Sequence, residues 1–403
     1  MKIGIIREGK IPPDARVPFT PAQCVYLMQH FPVEVVVQPS EVRSYKDEEY
    51  SQVGVEMTNN LADCDVLMGI KEVPVAQLIP NKTYCFFSHT IKGQAHNMKL
   101  LRSLLDKNIK LIDYEVLTDH HGNRLIAFGH FAGMVGAHNA IWTYGQRTQA
   151  FELKRMKDCF DYAEAKLEYK TLTLPPIKIV VTGTGRVGQG AVEVLRDMGI
   201  RQVSPQEFLN QAFEEAIFVH LSSKDYTKRK DGTSFEYNDF YAHPGLYESA
   251  FEPYAKRSDI FVNGIFWDTR APLFFTKEDM RCSDFKIRVI ADVTCDLAPV
   301  SSVPSTLKAS TIADPVFGYD PFTESEIAPY QPNGIDMMTI DNLPSEMPRD
   351  SSKYFGERFI ELILPELLNG HSEVIRKATI TENGTLCPRF HYLEQYLEGA
   401  ISS

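Results

Sequence analysis

The stretch IKIVVTGTGRVGQGAVEVLRDMGI, residues 177–200, constrains this chain more than any other. A β-branched, apolar run ends at Gly183, Gly185 and Gly188, spaced G-x-G-x-x-G, and an amphipathic segment follows at once. Strand, turn and helix in that order predict the first unit of a parallel β-α-β sheet. The glycines allow a tight turn and let backbone approach a pyrophosphate, whose charge the helix N-terminus favours. The cofactor-binding residues expected here are Gly183, Thr184, Gly185, Arg186, Val187 and Gly188. About twenty residues further on, a carboxylate would meet the ribose 2′-hydroxyl of NAD. RQVSP (201–205) offers none and Glu207 is the nearest, so NAD(H) is expected while NADP(H) stays open. Two later strands, DIFVNGIFW (259–267) and KIRVIADVTCD (286–296), carry Asn263, Ile265, Asp292 and Asp296. Asn263, Ile265 and Asp292 are expected to line the nicotinamide half of the site, or else Asn263 and Asp292 cap turns.

The first 130 residues alternate strand-like and helix-like segments: KIGIIRE (2–8), VEVVVQP (33–39), DVLMGI (65–70), TYCFFS (83–88) and IKLIDYE (109–115) read as strands. Thr20, Pro21 and Gln23 predict a capped helix start, and AHNMKLLRSLLDKN (95–108) has apolar residues at helical spacing. Two strands run straight into titratable groups, DVLMGI into Lys71 and TYCFFS into His89. If those strands are parallel neighbours, both groups stand on one rim of a sheet, where open α/β folds bind ligands. The expected fold is α/β, two Rossmann-like domains with mainly parallel sheets and an interdomain cleft. A substrate-binding domain is expected over 1–132, completed by 340–403, and a dinucleotide-binding domain over 133–339. The small-residue helix from Phe131 crosses from one to the other, and the apolar-faced helix within 339–370, without a strand pattern of its own, packs back on the first.

At 403 residues the chain exceeds one ordinary core, and 43% hydrophobic with 24% charged residues is ordinary globular composition. A formal charge of −11 disfavours nucleic acid and anionic membrane as partners. The one basic cluster, KDYTKRKDG (224–232), is interrupted by acids and reads as a solvated loop. MKIGIIREGK lacks the apolar core of a secretory signal and no stretch is long enough to span a bilayer, so a cytoplasmic location is expected. Seven scattered cysteines without CxxC spacing fit neither a disulfide framework nor a zinc site, and no metal is expected. Nothing in the sequence sets the oligomeric state.

DARVPFTP (14–21), GIKEVP (69–74), FFSHTIKGQ (86–94), LIDYEVLTDHHGNRLIAFGHFAG (111–133), VTGTGRVGQGA (181–191), VNGIFW (262–267) and TIDNLP (339–344) lie in order along most of the chain. Together they resemble the lysine-forming saccharopine dehydrogenases and the lysine–ketoglutarate reductase part of aminoadipic semialdehyde synthase. A wider kinship reaches alanine dehydrogenase and the NAD(H)-binding component of transhydrogenase. The resemblance implies an oxidoreductase acting on a CH-NH group, its substrates lysine, 2-oxoglutarate and saccharopine. An imine joins the first two, and hydride reduces it. The resemblance also implies that Lys71 and His89 are the acid–base pair, that Arg16, Lys92 and Arg124 hold substrate carboxylates, and that Glu72, Glu115 and Phe128 line the pocket. Saccharopine carries three carboxylates, which gives several cations in one site of an acidic protein a reason to exist. Crowding by Arg16, Lys92 and Arg124 is expected to bring Lys71 toward the ~7–8 that suits a general base. Two other readings remain at this point. An alanine-dehydrogenase-like enzyme would leave Lys92 and Arg124 without a substrate charge to meet, and a non-catalytic dinucleotide sensor would need no acid–base pair.

Overall fold

The computed structural model describes residues 1–399, and residues 400–403 of the expected C-terminal segment lie outside it. Two compact units are present: Met1–Ala127 together with the chain from Pro348 onward, and Phe128–Met347.

In the first unit, β1 (Lys2–Ile5), β2 (Glu34–Val37), β3 (Glu56–Met57), β4 (Val66–Met68), β5 (Thr83–Phe86) and β6 (Lys110–Asp113) form a parallel array, ordered β6-β5-β4-β1-β2-β3. Helix α1 (Pro21–His30) starts at Thr20, whose hydroxyl accepts from the Gln23 N–H while the Gln23 side chain accepts from the Thr20 N–H. Both bonds satisfy donors that a bare helix end would leave open. Helix α2 (Ala95–Asp106) buries Met98, Leu101 and Leu104 from one face against the sheet, about 2 kcal/mol for each such side chain.

In the second unit, β7 (Lys178–Thr182) is the strand before the glycine turn. The strands that follow are β8 (Arg201–Val203), β9 (Ile217–Leu221), the ribbon β10 (Thr227–Arg229) and β11 (Tyr247–Ser249), β12 (Ile260–Asn263), β13 (Val289–Asp292), β14 (Val316–Asp320), β15 (Ser325–Ile327) and β16 (Ile335–Met338). The main sheet runs β15-β14-β16-β13-β12-β7-β9-β8, antiparallel only at β14 and β15. The basic cluster expected to be a loop is instead a short helix, Ser223–Tyr226, and the strand β10, whose Arg229 is held by Asp231 and Asp239. A ring cluster of Phe235, Phe240 and Tyr247 gives this ribbon a small core, which charge spacing alone does not reveal.

Helix α3 (Gly129–Thr148), the small-residue helix, packs on α4 (Arg186–Asp197), the helix after the glycine turn. The contact is backbone to backbone: a Cβ on Gly133 would lie 1.8 Å from the Val187 carbonyl oxygen, and one on Gly190 2.0 Å from that of His130.

The C-terminal segment completes the first unit. Helix α5 (Pro348–Leu362) buries Phe355 and Phe359 against Tyr114, with ring centroids 5.0 and 6.1 Å away, and Phe359 meets Phe19 at 5.4 Å. Beyond it lie two strands that the sequence reading lacked, β17 (Thr379–Glu382) and β18 (Thr385–Leu386); β17 is antiparallel to β6. Their turn is Asn383-Gly384, with φ of 52° and 72°, the left-handed pair that a two-residue hairpin needs. No helix among the described residues is long and apolar enough to cross a membrane.

Gly133→Ala drives a methyl group into a backbone carbonyl that cannot swing aside, so α3 and α4 must separate. We expect a loss of about 2 kcal/mol or more, read as a lower midpoint in denaturant unfolding, whereas Gly199→Ala, with open space around it, acts only through its positive φ.

Candidate functional site

The parallel ladder between β4 and β5 continues past their ends: Gly69 N–H donates to Cys85 O at 3.1 Å, and Phe87 N–H to Ile70 O at 3.0 Å. Lys71 and His89 follow directly, so the two groups stand side by side on the C-terminal rim. His89 leaves the strand in the left-handed region, φ 55°. Its neighbours hold it there: Ser88 donates its N–H at 3.1 Å and its hydroxyl to buried Asp113 at the end of β6, Ser88 and Thr90 hydroxyls bond at 2.7 Å, and Asn97 Nδ2 donates to His89 O at 3.1 Å. Behind Lys71, the carboxylate of Glu8 accepts the main-chain N–H of Ile70 at 2.5 Å and of Lys71 at 2.9 Å.

Three buried side-chain atoms on this rim have no hydrogen-bond partner: Glu72 Oε2, His89 Nε2 and Glu115 Oε2. His89 Nε2 lies 3.7 Å from Glu72 Oε1, and Lys10 Nζ lies 3.2 Å from Glu72 Oε2 without hydrogen-bond geometry. Native interiors rarely leave such atoms unsatisfied, and here they gather at His89, on whose charge Glu72, Lys71 and Glu115 all act. The Lys71 ammonium is pushed down to about 8, first by burial and then by the charges of Arg16 and Lys10. Burial thus leads; of the cations expected to crowd it, Arg16 acts as expected, Lys10 joins it, and Lys92 and Arg124 are not among the leading causes. His89 is also lowered, again mainly by burial, with Glu72 acting in the opposite sense. At neutral pH the arrangement therefore pairs a mostly protonated lysine with a neutral imidazole. Buried Asp113 is raised to about 6 and Glu8 to about 8, both chiefly by burial.

The cations expected to meet carboxylates differ in availability. Arg16 is 2% exposed, and its fork lies on Asp14, Nε to Oδ1 at 2.9 Å and Nη2 to Oδ2 at 2.6 Å. Arg124 reaches Glu115 Oε1 at 2.8 Å from an exposed position, and Lys92 is exposed in the turn after His89. Lys92 thus stands open to solvent, whereas the Arg124 guanidinium is already engaged by Glu115. Phe128 lies in the second unit, immediately before α3. Sequence reasoning missed Glu8, Lys10, Asp14 and Asp113. For Glu8 the signal was a carboxylate closing the first strand segment, one residue before a glycine.

In the second unit, Gly183 has φ 94°, and a Cβ there would lie 2.3 Å from the Gly264 carbonyl oxygen. Thr184, Gly185 and Arg186 are exposed, and nothing lies within 4 Å of a Cβ built on Gly185. The open approach to the N-terminus of twelve-residue α4 suits a pyrophosphate. Val187 is half-buried and Gly188 packs under the turn. Asn263 and Asp292, by contrast, are fully buried and bond inward: Asn263 Nδ2 donates to Asp292 Oδ1 and Ser302 Oγ, both at 2.9 Å, and Thr182, Thr294 and Thr306 complete the network. Their side chains brace the ends of β7, β12 and β13, while Ile265 packs partly on the core.

The strand order corrects one expectation. RQVSP ends β8, which is the sheet edge; β9 lies between it and β7. The strand end beside the glycine turn is therefore Leu221 with Ser222, Ser223 and Lys224 after it, and His220 on β9 contacts the Gly183 carbonyl through Nε2 at 2.7 Å. Asp225 is occupied capping Ser222, at 2.8 Å from its N–H and 2.6 Å from its hydroxyl, and Glu207 likewise caps Ser204. All seven cysteines are unpaired, and no group of three metal-ligating side chains occurs among the described residues.

Two mainly parallel sheets, one carrying a glycine turn before a helix and the other a rim of unsatisfied polar atoms, define an α/β protein of Rossmann-like type. Solved L-alanine dehydrogenase has this fold, with a TM-score of 0.64 at 14% identity over 99% of this chain and 100% of that one. Residues 4–135 match the alanine dehydrogenase/PNT N-terminal domain family. The chain is a homologue of the lysine-forming, NAD(+) saccharopine dehydrogenase of Emericella nidulans, 28% identical over 91% of each chain. It is also 29% identical to the mitochondrial alpha-aminoadipic semialdehyde synthase of Rattus norvegicus over 91% of its own length, spanning 44% of that protein.

Linkage gives Lys71 a signature that needs no substrate. Its folded value of about 8 lies below the ordinary 10.5 of a solvated lysine, so between those pH values the unfolded chain holds the extra proton and stability rises with pH. We expect wild type to gain up to about 3 kcal/mol between pH 8 and 10.5 relative to Lys71→Met, measured by urea unfolding across that window.

Proposed function

We propose that this chain is an oxidoreductase of saccharopine dehydrogenase type, interconverting saccharopine with L-lysine and 2-oxoglutarate. The observation that carries the reading is the set of unpartnered atoms Glu72 Oε2, His89 Nε2 and Glu115 Oε2, gathered at His89 with Lys71 beside it. The homologues' activity supports it. In the forward direction the ε-amine attacks the 2-oxo carbon, the carbinolamine loses water, and the resulting imine is reduced. The two glutamates accept hydrogen bonds from the amine and orient it. His89, neutral at neutral pH, takes the proton released as nitrogen adds, and the Lys71 ammonium protonates the departing hydroxyl. Lys92 and Arg124 meet substrate carboxylates.

The groove at Gly183, Thr184, Gly185, Arg186, Val187 and Gly188 fits a nicotinamide dinucleotide, which when bound delivers or accepts the hydride. Of the two nucleotides NADP(H) has the better support. The strand end beside the turn offers exposed Lys224 and the half-buried Ser223 hydroxyl, whereas the Ser222 hydroxyl is engaged by Asp225 and Tyr237. A 2′-phosphate gains from the Lys224 ammonium, a charge that a ribose 2′-hydroxyl does not use.

The test is oxidation of NADPH and NADH, followed by absorbance, with lysine plus 2-oxoglutarate and with ammonia plus pyruvate. We expect turnover with the first pair, a fall of about 10²-fold or more in kcat for Lys71→Met and for His89→Gln, and NADPH preferred. Lys224→Ala raises the KM for NADPH about tenfold and leaves that for NADH in place. Turnover with ammonia and pyruvate alone assigns the chain to smaller amino acids instead, and nucleotide binding without any turnover assigns it to sensing.

A further inference from the structure

Glu8 is a half-buried carboxyl that the proposed chemistry does not use. It stands beyond the end of β1, and both its oxygens are turned to the neighbouring strand, Oε1 to the N–H of Ile70 and Oε2 to the N–H of Lys71. Those two amides are the last main-chain donors before the Lys71 side chain leaves the sheet. The space is close on the other side as well: a Cβ at Gly69 would lie 3.1 Å from Glu8 Oε1 and 2.8 Å from Ile6 Cδ1. Asp14 and Arg16, from the loop after β1, and Tyr114, from the chain after β6, act on the charge of Glu8, while Lys10, Asp14, Arg16 and Glu72 act on Lys71.

We propose that Glu8 is the positioning residue for Lys71, a carboxylate clasp that fixes the direction in which the lysine leaves β4 and so holds its ammonium in the desolvated rim. The proposal rests on the functional reading above for its catalytic consequence, but not for its structural one. A two-oxygen clasp needs the ionised form, since a protonated carboxyl keeps one good acceptor and turns a hydroxyl toward the second N–H. Burial holds Glu8 at about 8, so the clasp is complete only on the alkaline side of neutrality. It tightens over the same range in which Lys71 sheds its proton.

Glu8→Gln imitates the protonated state, keeping the shape and one acceptor. Two readouts decide the matter. The first is acetylation of Lys71 by acetic anhydride as a function of pH, quantified on the peptide, which needs no turnover. In Glu8→Gln we expect the Lys71 rate at pH 8 to fall about fivefold or more, as the released side chain returns to water and regains its ordinary affinity for a proton. The second is steady-state kinetics with lysine and 2-oxoglutarate, where kcat falls about tenfold or more and the KM values move less than about twofold, because the substrate-binding cations are untouched. Unchanged acetylation overturns the proposal whether or not the wild type turns over. A wild type that turns over nothing, with acetylation altered in the variant, removes the functional reading and leaves the clasp. Should Glu8→Gln fail to fold, amide hydrogen exchange in wild type decides: protection of the Ile70 and Lys71 amides, corrected for intrinsic rates, should fall about tenfold between pH 9 and pH 7, and a flat profile overturns the clasp.

Discussion

The hydrogen-bond ladder between β4 and β5 is the constraint from which the candidate site follows. Parallel pairing brings both strands to the same rim, and its continuation through Gly69 and Phe87 carries the register up to the residues before Lys71 and His89. Had the pairing been antiparallel, the same residues would lie at opposite ends of the sheet. Each rim residue is then anchored by a carboxyl from an adjacent strand end, half-buried Glu8 for Lys71 and buried Asp113, through Ser88, for His89. The outer strands β1 and β6 thus orient what the inner strands present.

Low dielectric does more of the electrostatic work than charge crowding. Burial is the leading cause for Lys71, His89, Glu8 and Asp113 alike, lowering the bases and raising the acids. All four move toward neutrality of the individual group, which narrows the gap between donors and acceptors on one rim. Desolvated groups with unsatisfied atoms gain most from a polar ligand that replaces the lost water. Arg16 belongs to a different category, because Asp14 has already compensated its charge, and it acts on Lys71 as part of a buried pair.

Local signals in the sequence carried far. The Thr20 capping box, the strand ends at Lys71 and His89, and the glycine turn at 183–188 all rest on short-range rules and reappear in the structure. What escaped was set by pairing partners. The edge position of β8 and the insertion of β9 beside β7 cannot be read from spacing, since consecutive strands usually neighbour one another. Asn263 and Asp292 end strands as active-site residues do, yet their partners Ser302 and Thr306 come from a later loop and turn them inward. The Asn383-Gly384 hairpin is a different case, a local signal present in the text and overlooked beside the long helix before it.

The return of the C-terminal segment has a consequence for how the molecule is made. The first unit's sheet is closed by β17, and its aromatic core includes Phe355 and Phe359, so neither is complete until residues beyond 348 have left the ribosome. The second unit has all its strands in one uninterrupted stretch. During vectorial synthesis, which normally favours the N-terminal domain, the second unit finishes first here, and the first must wait with β6 as an open edge. Contacts such as Val17 N–H to Ser352 Oγ, 335 residues apart, are then made last.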